Sequence, residues 1–99
     1  MAFFVTKDEG RQVLRLEGDV TVRDAGKLAA LLSERLDPGL PVQVETARLE
    51  DIDTCILQLL YALSKTVSEL GFSNPAPVFL NALDRSQMRR ALLRRREGA

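Results

Sequence analysis

The residues of this chain best suited to chemistry stand in one short run, Asp51-Ile52-Asp53-Thr54-Cys55. Two carboxylates, a hydroxyl and a thiol sit side by side. Ile52, Cys55, Ile56, Leu59, Leu60, Leu63, Val67 and Leu70 then recur at three- and four-residue steps, the spacing of a one-sided helix. The polar run is therefore expected at a helix N-terminus, where backbone N–H groups lack partners and the dipole favours negative charge. Such an end accepts a capping side chain, an anion or a phosphorylated hydroxyl. Asp53 is expected to be the N-cap, worth roughly 1 kcal/mol. Thr54 is the candidate phosphorylation site. A phosphate there would add roughly two negative charges beside Asp51 and Asp53 and repel a negative partner surface, while the helix end tolerates them. Cys55 reads either as a thiol activated by the helix end or as a small buried hydrophobe. Its place in the apolar stripe favours burial.

The residues that are missing narrow the chemistry. The chain has no histidine, which removes the usual general base, the usual zinc ligand and every histidine-containing triad. It has no glycine-rich phosphate loop of either common type. No enzyme activity, no cofactor and no metal site are therefore expected. A single cysteine cannot form an internal disulfide and fits a reducing, cytoplasmic setting. No run of about 18 apolar residues is present, so no membrane insertion is expected. The start, Met-Ala-Phe-Phe-Val-Thr-Lys-Asp, does not read as a signal peptide. Formal charge is zero, but residues 84–99 hold six arginines against Asp84 and Glu97, a local excess of 6 − 2 = +4. Cations near a helix C-terminus suit its dipole. No aromatic is interleaved with them for base stacking, so no nucleic acid is expected.

Several elements must position the polar run. Ninety-nine residues suit one domain, 1–99, with one core. Phe3 to Thr6 and Gln12 to Glu17 read as strands of a hairpin around Asp8-Glu9-Gly10. Thr21 and Asp24 resemble a capping box ahead of a stripe of Val22, Ala25, Leu28, Ala29, Leu32 and Leu36, stopped by Asp37-Pro38-Gly39. Val42, Val44 and Thr46 alternate as a third strand. The helix starting at Asp53 is expected to reach about Leu70, with Gly71 as its C-cap. Val78 to Leu80 reads as a fourth strand and Ser86 to Arg95 as a last helix, with Arg96 to Ala99 fraying. The order β-β-α-β-α-β-α implies an α/β fold with a mixed four-stranded sheet packed with helices. On the second helix, Leu57, Tyr61, Ser64 and Ser68 are spaced 4, 3 and 4. They form the face opposite the stripe, and an exposed Leu and Tyr there suggest a protein contact. Phe3-Phe4-Val5 forms a sheet edge able to pair between chains.

Two segments resemble the STAS domain, the fold of bacterial anti-sigma factor antagonists. Leu14-Arg15-Leu16-Glu17-Gly18-Asp19-Val20-Thr21 is similar to the family's L-x-G-[DE]-L-[DT] segment. Val42-Gln43-Val44-Glu45 through Ile52-Asp53-Thr54 and Leu57-Gln58-Leu59-Leu60 is similar to its V-x-L-D-L-S … I-D-[ST]-x-G-L segment. The resemblance implies a non-enzymatic switch protein for transcription regulation. Its partner would be a serine kinase that doubles as an anti-sigma factor, released by phosphorylation near the Asp-[ST] motif. In one branch of the family the phosphorylated hydroxyl is the second residue after the Asp, which here is Cys55. In others it follows the Asp directly, which here is Thr54. Ile56 stands where the family usually has Gly, and Ala47-Arg48 where Ser-Gly is common. The resemblance also places the loop of Asp19 beside the Asp53-Thr54 corner. The expected partner surface is Asp19, Asp51, Asp53, Thr54, Leu57 and Tyr61. Some small STAS proteins that resemble this chain lack the usual phosphoserine. They serve as subunits of lipid-transport ABC systems, against the ATPase, or accompany chemosensory histidine kinases.

Overall fold

Alternating side chains build the sheet. In the computed structural model, which describes residues 3–8 and 10–93, β1 (Phe3–Asp8) and β2 (Arg11–Leu16) pair antiparallel. Gly10 joins them at a φ of 83°, a conformation that glycine adopts without strain. Along β2, Gln12, Leu14 and Leu16 are buried, while Val13 and Arg15 are half-buried on the other face. The chain leaves the sheet through Glu17, forms β3 (Gly18–Val20), a 3-10 turn (Val22–Asp24) and helix α1 (Ala25–Arg35). It returns as β4 (Val42–Glu45), parallel to β2, with Val42 and Val44 buried. It leaves again as β5 (Leu49–Ile52) and helix α2 (Thr54–Ser64), and returns as β6 (Leu70–Ser73), parallel to β4. Helices α3 (Pro77–Arg85) and α4 (Arg89–Leu93) follow. The main sheet has the order β1-β2-β4-β6, while β3 and β5 form a separate parallel pair.

The mixed α/β architecture and the four-stranded main sheet agree with the expectation from sequence, but several elements differ. Gly18–Val20 and Leu49–Ile52 form the extra strands β3 and β5, so Asp19 lies in a strand and not in a loop. Residues 78–80 are not a strand. They lie in α3, where Pro77 occupies the first turn, a position its fixed φ favours. Phe79, Ala82 and Leu83 then point into the core at helical spacing. The fourth strand is Leu70–Ser73, in which Gly71 is an interior residue opposite Gln43 and not a helix cap. Helix α2 correspondingly stops at Ser64. The carbonyl of Ala62 accepts the Lys65 N–H and the Thr66 hydroxyl, and Ser68 N–H donates to Pro38 O at 2.9 Å. These bonds turn the chain away, and Leu70 enters the ladder beside Val42. The last helix starts at Arg89 rather than Ser86, and the expectations for residues 94–99 lie outside the described residues.

One apolar layer unites these elements. Leu14, Leu16, Val42 and Val44 of the sheet, Leu28 of α1, Ile56, Leu57, Leu60 and Leu63 of α2, and Phe79 and Leu83 of α3 are all buried. The Phe72 and Phe79 rings meet at 5.3 Å between centroids, within the range of favourable aromatic pairs. Gln12 is the polar exception on the buried face of β2. Its amide donates to Asp37 O at 2.9 Å and accepts from Asp37 N–H at 2.7 Å, so both halves of a fully buried amide are satisfied. Thr46, also fully buried, accepts the Ala76 N–H at 3.2 Å and ties the end of β4 to the start of α3.

Candidate functional site

The β3–β5 pair carries the acidic residues. Asp19 and Asp51 are register partners on neighbouring strands, both exposed. Like charges directly opposite one another weaken a sheet, so this pair is placed against stability. The register shifts between Gly18 and Asp19, and Gly18 holds a φ of 67°, which a side chain would strain. Asp51 Oδ1 accepts the N–H of Ile52 at 2.9 Å. Among the described residues, no lysine or arginine pairs with Asp19, Asp51 or Asp53.

Asp53 joins three segments. Its N–H donates to Val20 O at 3.1 Å, and its Oδ2 accepts the Val22 N–H at 2.7 Å. Its carbonyl accepts the N–H groups of Ile56 and Leu57 at 3.0 and 3.4 Å. The carboxylate expected to cap α2 therefore reaches across to the 3-10 turn instead, and its side chain makes no cap bond to its own helix. Asp24 does the matching work one residue earlier, accepting the Thr21 N–H at 2.9 Å as the capping-box reading expects. Asp53→Ala should lower unfolding free energy by about 1–2 kcal/mol, because the lost bond has a charged acceptor. Asp53→Asn should retain at least half of that. Urea denaturation of both variants is the check, and equal losses would mean that the carboxylate's acceptor role is not what matters.

Thr54 is exposed at the first position of α2. Its Oγ1 lies 3.4 Å from the hydroxyl of Ser86, the C-cap of α3. Sequence reading missed Ser86, which lies 32 residues away with no local signal linking the two. The corner is thus made by the β3 loop, the N-terminus of α2 and the C-terminus of α3. Cys55 is half-buried and packs against the core, closer to the hydrophobe reading than to an open thiol.

The α2 surface is rotated from expectation. Leu57 is fully buried and cannot be a surface contact. The exposed residues are Thr54, Gln58, Tyr61, Ala62 and Lys65, which repeat at 4, 3, 1 and 3 along one helical face. Ser64 is half-buried and donates to Tyr61 O, and Ser68 lies beyond the helix. The Lys65 ammonium sits 5.0 Å above the Tyr61 ring, a cation–π arrangement. Tyr61 is therefore held along the helix roughly 10 Å from Thr54.

Arg89, one of the C-terminal arginines, forms an exposed ion pair. Its Nε and Nη2 donate to the two oxygens of Asp84 at 2.7 and 3.0 Å. These hydrogen bonds first, and the guanidinium charge with them, hold the Asp84 carboxyl below its ordinary value. Arg94, Arg95 and Arg96 lie outside the described residues. Among the described residues, no group of three or more His, Cys, Asp or Glu is placed to hold a metal ion. No helix among them is long and apolar enough to cross a membrane.

A family model described as "Mlab, STAS domain" matches residues 3–94. No curated protein matches the chain. Solved structures share the fold. One, described as "Crystal Structure Analysis of Mglu", superposes with a TM-score of 0.61 at 23% identity over 78% of this chain and 21% of its own. Another, Mglu "in its L-glutamate binding form in the presence of 4.3M NaCl", gives 0.64 at 16% identity over 79% and 28%. This chain spans only 21% and 28% of those two chains' length.

Proposed function

The chain belongs to the STAS domain family, and from that premise we propose that it is a non-enzymatic bacterial regulatory module that docks a protein partner at its Asp53-Thr54 corner. STAS domains in general serve regulatory and binding roles. The module works as one domain, 1–99, in the cytoplasm, and its partner is a serine kinase acting as an anti-sigma factor. The docking surface comprises Asp19, Asp51, Asp53, Thr54 and Tyr61, with Gln58 and Ser86 added and Leu57 removed. One observation carries the reading: an exposed hydroxyl stands at a helix N-terminus among carboxylates that no described cation neutralises. Phosphate on Thr54 would change the charge of the corner without touching the core.

The test is capture of the partner from native cells with Thr54→Glu and Thr54→Val, quantified by mass spectrometry. Thr54→Glu should lower recovery of the kinase at least about tenfold, a step of roughly 1.4 kcal/mol, and Thr54→Val should change it little. Equal recovery from both variants would reject the charge switch.

Cys55 favours a second reading. It places a half-buried thiol where one branch of the family carries its phosphorylated hydroxyl. In that reading the same face docks constitutively on the ATPase of a lipid-transport ABC system or on a chemosensory histidine kinase. Thr54→Glu would then leave binding unchanged, while Tyr61→Ala would weaken it.

A further inference from the structure

The main sheet ends at β1, whose outer edge has no strand partner among the described residues. Phe4 is 40% exposed there. A groove of about 480 Å³ lies between this edge and α1, lined among others by Phe4, Val5, Lys27, Ala30, Leu31 and Glu34. An exposed edge strand with apolar residues is a template for another strand. We propose that this edge binds a second copy of the chain, fusing two four-stranded sheets into one.

The charges make the edge self-complementary. A two-fold axis perpendicular to the sheet beside Val5 sets Val5 against Val5 of the copy, Phe4 against Thr6 and Phe3 against Lys7, each pair on one face of the sheet. No like charges face each other. Helix α1 joins the parallel strands β2 and β4, so it runs counter to both and along β1, which is antiparallel to β2. The same axis therefore lays α1 antiparallel against its copy. The residues of α1 that line the groove, Lys27, Ala30, Leu31 and Glu34, repeat at three, one and three, one side of a helix. Reversed on itself, this stripe sets Lys27 against Glu34 and Ala30 against Leu31. The small Ala30 lets the helices approach. Val5 at the centre of the strand pairing lines the same groove as Ala30 and Leu31 at the centre of the helix pairing, so one axis serves both. A head-to-head arrangement would instead oppose Lys27 to Lys27. Self-pairing of this closed, two-fold kind does not propagate.

Sedimentation equilibrium of the purified chain tests the proposal. A species of twice the 11.0 kDa chain mass is expected, with micromolar Kd. Lys27→Glu and Glu34→Lys should each weaken it about tenfold, because two attractive pairs become repulsive. The double variant Lys27→Glu/Glu34→Lys should return to within about threefold of the parent. Both positions are exposed on α1, and circular dichroism confirms that the variants fold. A monomer at every concentration up to about a hundred times micromolar Kd, or a dimer that the double variant does not rescue, would overturn the proposal. Neither result bears on partner docking at the Asp53-Thr54 corner.

Discussion

Leu57→Ala should lower the unfolding free energy by about 2–5 kcal/mol, while Tyr61→Ala should change it by less than about 1 kcal/mol. The two residues are one helical turn apart and read alike in sequence, but their surroundings differ. Leu57 has no exposed surface and sits among Ile56, Leu60 and the sheet residues of one cluster. Truncation there loses the transfer energy of its side chain and leaves a cavity that close-packed neighbours fill only in part. Tyr61 is 37% exposed, and its contact with Lys65 is worth about 0.5–1 kcal/mol at such a site. In a domain of this size, total stability is about 5–15 kcal/mol. Leu57→Ala would therefore reduce partner binding through loss of folded protein, and Tyr61→Ala through loss of contact. Denaturant titration separates the two. Equal, small effects would place Leu57 on the surface.

Gln12→Glu should be the more diagnostic variant of the buried clamp, because its effect should depend on pH. The native amide donates to Asp37 O and accepts from Asp37 N–H. An ionised carboxylate keeps the second bond but sets an anion against the Asp37 carbonyl in a site with no exposure. Burial favours the neutral acid, so the folded-state pKa of the introduced carboxyl rises above its unfolded value of about 4.3. The folded form then binds more protons, and stability falls as pH rises above about 4.3. Near pH 4 the protonated acid can donate to Asp37 O and restore both bonds, so the variant should approach the parent. At pH 7 it should be at least about 3 kcal/mol less stable, the range for an unpaired buried charge. Gln12→Ala should lose about 2–4 kcal/mol with no such pH dependence, from two hydrogen bonds and a cavity. Paired denaturation curves at the two pH values decide the matter. A pH-independent deficit for Gln12→Glu would mean that the site admits water.

The sequence made the hairpin, the β4 strand and the start of α2 legible because each carries its own period. Gln12, Leu14 and Leu16 alternate, as do Val42 and Val44. Three apolar residues misled the reading of the far end of α2, and two of them lie beyond it. Leu63, Val67 and Leu70 continue the helical spacing by coincidence, while the bonds that stop the helix come from the backbone N–H groups of Lys65 and Thr66 and from the Thr66 hydroxyl, none of which is a strong stop signal in sequence. A run as short as Val78-Phe79-Leu80 fits a strand or a helix equally. What decided it was Pro77 ahead and the Ala82-Leu83 pair behind. The face of α2 was misjudged for a related reason. Counting Cys55 and Leu59 into the stripe shifted its centre away from Leu57, and only the packing of neighbours at a distance in sequence sets the rotation. The same holds for Asp53. Its bond to the Val22 N–H, 31 residues away, left no local trace, so the nearer helix was the natural assignment. Ser86 was illegible for that reason too.

Two chain segments each serve both sheets. Only Glu17 separates β2 from β3, and only Thr46, Ala47 and Arg48 separate β4 from β5. A residue gained or lost at either joint would flip the side-chain alternation of one sheet relative to the other, turning Asp19 or Asp51 inward and Val20 or Ile52 outward. Among descendants of a common ancestor, length should therefore stay fixed across residues 17 and 46–48. Insertions should collect at the turns near 38–40 and 65–68, where no strand pairing is at stake. The acidic corner would then inherit its geometry through spacing, even in lineages where its residue types have drifted.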